Sequence, residues 1–177
     1  MAKLDAPDSP FTAIILAKAG MVRLGMGHRC TSDLTAPILY HAVSQGALGV
    51  EVRSNDPEVK GLCEGLTHWQ TFWRCWAERE YLRVLEGGCS VPVGIDSMLT
   101  EKEEGKRGGV LKLTGCVTAL DGVNHVEETV EEEVTSVGEA EGLGAKLARR
   151  LMSKGGKAIL DDITKDRERM IKGQATV

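Results

Sequence analysis

A thiol at the junction of a helix end and a strand start is the most reactive arrangement in this sequence. Cys89 stands in Leu85-Glu86-Gly87-Gly88-Cys89-Ser90-Val91-Pro92-Val93-Gly94, where an apolar helical stretch stops at paired glycines and a Val-x-Val run begins. Backbone on both sides holds such a thiol while it projects outward, and the glycines leave room for a bulky adduct. Sulfur is a soft nucleophile, so the corner permits a covalent attachment point. The same residues also describe a small buried hydrophobe behind a glycine cap, the commoner fate of a lone cysteine. Cys30, Cys63, Cys75 and Cys116 complete a set of 5 cysteines with no C-x-x-C pair. An odd, scattered set fits a reducing cytoplasm rather than a disulfide framework or a zinc site. His28, His41, His68 and His125 show no ligand spacing, and no metal is expected.

Cys89 is positioned by the elements on either side of it. Thr67-x-x-Gln70 reads as a capping box opening the strongest helix, roughly His68 to Leu85. Trp69, Phe72, Trp73, Trp76 and Ala77 form a stripe at spacings of three and four, continued by Tyr81 or Leu82 and Leu85, and predict a core face. Glu78 and Arg79 are expected to tie this helix to its neighbours by ion pairing. Beyond Cys89, Val91-Val93-Ile95 suggests one strand, Glu101 to Gly109 an exposed hairpin loop, and Val110 to Ala119 a second strand. Asp121-Gly122 is a strong turn signal. Val126 to Val134 follows; its valines suit a helix by spacing, but β-branching and the preceding turn favour a strand. Leu143, Leu147, Leu151 and Met152 mark a helix ending at Lys154-Gly155-Gly156, then a short apolar piece and a charged tail.

Upstream, Thr12 to Leu16 reads as a buried strand, Lys18 to Leu24 as a helix stopped by Gly25 and Gly27, and Ala47 to Arg53 as another strand. Asn55-Asp56-Pro57 starts a helix running to about Leu66. Two strand candidates are too few for a buried α/β sheet. The reading is an α+β carboxyl-terminal domain (one long helix, a three-stranded antiparallel sheet, closing helices) preceded by an incomplete α/β segment.

The 177 residues carry a formal net charge of -4, which argues against nucleic acid or an anionic membrane as partner. Glu127, Glu128, Glu131, Glu132 and Glu133 read as the solvated face of one element. No apolar run approaches the roughly 20 residues that span a bilayer. Met1 to Pro10 is polar, carries two prolines and has no signal-like apolar region.

Three ordered blocks carry a family resemblance: Ala13-Ile14-Ile15-Leu16-Ala17-Lys18-Ala19-Gly20-Met21-Val22-Arg23-Leu24-Gly25, then Gln45-Gly46-Ala47-Leu48-Gly49-Val50-Glu51-Val52-Arg53, then Ala77-Glu78-Arg79 with Leu85 to Val93. Together they resemble porphobilinogen deaminase (hydroxymethylbilane synthase), from about Phe11 to near Ile163. Family members look like three-domain proteins of about twice this length, with the active site between the first two domains. The resemblance implies a polar tail at 1–10, a partial α/β segment at 11–66 matching the ends of domains two and one, and at 67–177 the third domain with the cofactor cysteine.

The resemblance further implies a transferase of tetrapyrrole (heme) biosynthesis that condenses four porphobilinogen molecules and releases ammonia at each step. A dipyrromethane cofactor would be held by a thioether on Cys89. Loss of ammonia from an aminomethylpyrrole gives an electrophilic azafulvene that a soft sulfur captures. Arg23 matches a cleft arginine that binds the pyrrole carboxylates, where a guanidinium offers a two-pronged donor. Gln45 and Gly46 match the crossing segment, whose backbone and amide groups reach the cofactor; a glycine there serves a hinge equally well. Arg29 adds positive field near Arg23. The family's catalytic aspartate has no matching motif, so no catalytic residue is assigned. Tyr81 stands where the family more often has a small or apolar residue. The chain is therefore expected to be truncated, cytoplasmic and monomeric, with porphobilinogen as its small-molecule substrate. The competing reading is a non-catalytic carboxyl-terminal module acting as a folded or binding domain.

Overall fold

A computed structural model of the chain describes residues 1–85 and 91–174. It forms two compact units that divide between Thr35 and Ala36. This is a boundary of spatial contact, a different quantity from the family-based division near residue 66.

In the first unit, α1 (Ala2–Asp5) and α2 (Lys18–Arg23) are joined by coil, and a single 3-10 turn covers Gly27–Arg29. Gly25, at φ +70°, takes the left-handed conformation that stops α2. Met21 is the buried apolar side chain here. Arg29 clasps Asp5 through two hydrogen bonds of 2.6 and 3.2 Å, and Lys18 pairs with Asp33 at 2.5 Å.

The second unit opens with coil, a turn at 42–47, and α3 (Pro57–Glu64). Asp56 caps α3 by accepting the Val59 N–H at 3.0 Å, with Pro57 in the first turn as expected. The strand candidates at 12–16 and 47–53 both lie in coil. A strand needs a neighbour to take its hydrogen bonds, and neither segment has one among the described residues.

The ordered body follows. α4 (Trp69–Val84) leads to β1 (Val93–Glu101), β2 (Gly109–Thr118) and β3 (His125–Val134), an antiparallel sheet in the order β1-β2-β3. The first hairpin loop is exposed, as expected. At the second, the Asp121 carboxylate accepts the N–H groups of Val123 and Asn124 at 2.8 and 3.0 Å, and Gly122 sits at φ +71°. α5 (Val137–Leu151) is capped by Ser136, whose hydroxyl accepts the Glu139 N–H at 3.2 Å, while the Glu139 carboxylate accepts the Thr135 N–H at 2.6 Å. That hydrogen bond holds the Glu139 carboxyl below its ordinary range. Gly155, at φ +110°, breaks the helix inside a wide turn, Met152–Gly156. The charged segment that follows is α6 (Lys157–Gln174), a closing helix that buries Ile163.

The core lies between one sheet face and α4 with α5. Leu111, Leu113 and Val117 of β2 and Val130 and Val134 of β3 face Leu143, Leu147 and Leu151 of α5. Alternation along β3 divides the glutamate run: Glu128 and Glu132 share the core-side phase with Val130, and Glu127, Glu131 and Glu133 take the other. Glu128 receives Lys154 and, at 3.6 Å, Arg150; Glu132 receives Lys146. The run is thus not one solvated face but two sides of one strand.

Two expectations for α4 are corrected. The cap is His68, not Thr67: its backbone is extended and its Nδ1 accepts the Thr71 N–H at 3.4 Å. The aromatic stripe is also only half core. Trp73, Ala77, Tyr81 and Leu85 are buried, whereas Phe72 and Trp76 remain 43% and 37% exposed. Phe72 and Trp76 pack edge to face on the outer side with ring centroids 5.9 Å apart, and Arg79 lies 5.5 Å over the Trp76 ring. Tyr81 fills its place by packing on Gly115 and donating its hydroxyl toward the carbonyls of Gly94 and Cys116 at 3.3 and 3.2 Å. Burial raises the Tyr81 phenol well above its ordinary range, so it stays protonated as a donor.

Candidate functional site

Cys89 lies outside the described residues, together with Glu86, Gly87, Gly88 and Ser90. The flanking elements are defined. Leu85, buried, caps the C-terminus of α4, and β1 begins at Val93.

Arg23 ends α2 in the first unit and its side chain is exposed. Its neighbour Arg29 is committed to Asp5, which cancels most of the field it was expected to add. Gln45 and Gly46 belong to the second unit and are both exposed. They occupy a tight turn in which the Gln45 N–H donates to Ala42 at 3.0 Å and the Ala47 N–H to Ser44 at 3.1 Å. Gly46 has φ +80° and Ser44 φ +58°. The glycine is thus required by the turn itself, since only glycine takes this backbone without strain.

Upstream of the turn, Tyr40 lies across the outer sheet face against Gly94, and the Ile95 N–H donates to the His41 carbonyl at 2.9 Å. Burial, then the Glu127 carboxylate, raise the Tyr40 phenol above its ordinary range.

Sequence reasoning placed Glu78 among simple ion pairs; the structure makes it the centre of a buried network. Its Oε2 accepts the Ser44 N–H at 2.6 Å, and its Oε1 accepts the Ser97 hydroxyl. Arg74 Nε donates to the same hydroxyl at 2.8 Å. The signal available in the sequence was a carboxylate between Ala77 and Tyr81 on the core-facing stripe, a position that demands buried partners.

The thiols at Cys30, Cys63, Cys75 and Cys116 are free. Burial pushes the Cys116 thiol up, away from its reactive thiolate form. Among the described residues no group of metal-ligating side chains converges, and no helix is long and apolar enough to cross a membrane.

Comparison with known proteins bears on the whole chain. Residues 1–61 match a family model described as porphobilinogen deaminase, dipyromethane cofactor binding domain, and residues 72–153 one described as porphobilinogen deaminase, C-terminal domain. A porphobilinogen deaminase of Debaryomyces hansenii is 39% identical over 165 residues, covering 93% of this chain and 44% of that protein. One from Schizosaccharomyces pombe is 41% identical over 163 residues, covering 92% and 48%. One from Synechococcus elongatus is 43% identical over 163 residues, covering 92% and 47%. The chain thus spans about half the length of the curated relatives it matches. With two models of one family matched in order, the chain belongs to the porphobilinogen deaminase family.

Proposed function

We propose that this chain supplies the cofactor-bearing part of a hydroxymethylbilane synthase, a cytoplasmic transferase that condenses four porphobilinogen molecules with release of ammonia. The observation that carries the reading is the ordered pair of family matches, the second of which encloses Cys89. Residues 67–177 form the domain with the cofactor cysteine, and 11–66 the ends of two further domains.

The residues present fit a dipyrromethane. It presents carboxylates and a carbon that sulfur can hold, and the chain offers a thiol at a helix–strand junction, an exposed guanidinium and an exposed turn amide. When bound, the dipyrromethane supplies the terminal pyrrole carbon to which each substrate unit is added. Cys89 Sγ would hold it through a thioether, with the amino group of an aminomethylpyrrole and the thiol hydrogen released together as ammonia. Arg23 pairs with side-chain carboxylates through its two-pronged donor face. Gln45 and Gly46 offer side-chain and backbone amide groups. The odd, scattered set of cysteines supports a reducing compartment. The working form is a monomer.

A chimera joining this chain to the uncovered amino-terminal part of the Schizosaccharomyces pombe relative tests the reading. Its intact mass is expected to rise by one two-pyrrole adduct, which peptide mapping places on Cys89, and Cys89→Ala removes adduct and turnover together. An adduct on Cys75 or Cys116 would sink the assignment. In the same chimera, Arg23→Leu is expected to cut turnover strongly while shifting stability by less than about 0.5 kcal/mol, as for other exposed side chains. Undiminished turnover in Arg23→Leu returns that residue to a plain surface role.

A second reading, a module that folds without catalysing, draws support from the core: its buried cluster is built from Trp73 to Leu151 within this chain. Turnover by the chimera but not by the chain alone separates folding competence from catalytic competence.

A further inference from the structure

Ser44 is a non-glycine residue in left-handed backbone, at φ +58°, two positions before Gly46 at φ +80°. Such a conformation is unfavourable for serine and persists where the surroundings over-determine it. The two backbone hydrogen bonds of the 42–47 turn close it on itself and leave its attachment to the rest of the unit to other groups. On the sheet side, the His41–Ile95 bridge fixes the approach. On the helix side, Val43 packs against the core cluster and the Ser44 N–H meets a buried carboxylate.

Glu78 and Ser97 are the two buried polar side chains among the described residues, 7% and 6% exposed. A buried carboxylate is retained where it is paired and hydrogen-bonded. Here Ser97 bridges it to the Arg74 guanidinium: Arg74 Nε donates to Ser97 Oγ at 2.8 Å, and the Ser97 hydroxyl donates to Glu78 Oε1. That leaves Oε2 for the Ser44 N–H at 2.6 Å, a charge-assisted hydrogen bond directed at the strained residue of the turn.

We propose that Glu78 is a positioning residue: through the Ser44 N–H it locks the left-handed turn that holds Gln45 and Gly46 out at the surface of this unit, with Arg74 and Ser97 holding the carboxylate in place. The purpose of that display rests on the reading of Gln45 and Gly46 as cofactor contacts; the lock itself does not.

Single-amide hydrogen exchange on the full 177-residue chain tests it. Glu78→Asp keeps the charge but shortens the reach to Ser44. It is expected to speed exchange at Ser44 by about tenfold to a hundredfold, the range given by losing a hydrogen bond to a charged group. Exchange at Leu113 and Val130 in the sheet stays within about threefold, since those amides open only with the core. Glu78→Gln is the rescue. Its carbonyl oxygen accepts the Ser44 N–H and its amide donates to Ser97, so Ser44 exchange returns to within a few-fold of the unsubstituted chain.

Two outcomes overturn the proposal. One is Ser44 exchange in Glu78→Asp that is unchanged, or that rises only in step with Leu113 and Val130. The other is a Glu78→Gln chain as fast at Ser44 as Glu78→Asp. The cofactor reading fails by a different measurement, the absence of an adduct on Cys89 in the unsubstituted chimera, and that result leaves the exchange comparison standing.

Discussion

Gly144→Ala is expected to destabilise the second unit by about 3 kcal/mol, whereas Gly142→Ala, on the same helix, is expected to stabilise it by about 0.5 kcal/mol. The sign reverses because the two glycines do different work. Gly142 is exposed, and a methyl group added there meets nothing within 4 Å. Alanine then brings only its better helix propensity and a less flexible unfolded chain. Gly144 faces α4, and a methyl group there would overlap the carbonyl oxygen of Ala77. A backbone carbonyl in mid-helix has no alternative rotamer, so α4 and α5 would have to separate. Separation strips contacts from Trp73, Ala77 and Tyr81 on one side and from Leu143, Leu147 and Ala148 on the other, all part of one buried cluster. Urea denaturation of both variants reads the difference directly. A Gly144→Ala chain as stable as the unsubstituted one would refute the close approach of α4 and α5.

Trp73→Ala is expected to cost about 3–5 kcal/mol, the usual loss for truncating a buried aromatic, and Trp76→Ala no more than about 2 kcal/mol. From the sequence the two are equivalent members of one stripe, three residues apart. In the fold, Trp73 is 6% exposed and meets Trp69 edge to face with ring centroids 4.8 Å apart. Trp76 is 37% exposed, and its partners Phe72 and Arg79 are on the outer side of the helix with it. Losing Trp76 removes one aromatic contact and one cation–π contact at a wet surface, each of order 1 kcal/mol or less. Thermal melts of the two variants decide the matter; equal losses in both would restore a fully buried stripe.

Much of this protein was legible in local chemistry. The Asp56-Pro57 start of α3, the Asp121-Gly122 turn and the glycine stop after α5 rest on interactions within a few residues, and each formed where its signal stood. Val126, Val130 and Val134 share one face in a strand and one side of a helix alike; β-branching and the preceding turn pointed to the strand that formed. The ordered motifs identified the family without any geometry, because three blocks in sequence order carry more information than any one glycine-rich corner.

Partners decided the rest. Residues 12–16 and 47–53 have strand character, but a strand exists only with a neighbour to accept its hydrogen bonds, and sequence specifies the character without supplying the neighbour. The aromatic stripe of α4 is wider than the face that α5 and the sheet can cover, so packing chose Trp73 over Trp76. The glutamates of β3 separate by strand alternation into two faces, and only the folded unit brings Lys154, Arg150 and Lys146 to the inner pair. For the candidate site the sequence by itself determined which residue types are present: a thiol at a glycine corner, a free guanidinium, and a Gln-Gly turn. The tertiary structure decided how the turn is held, because the Ser44 N–H and the Glu78 carboxylate are 34 positions apart and meet only when α4 packs beside the crossing segment.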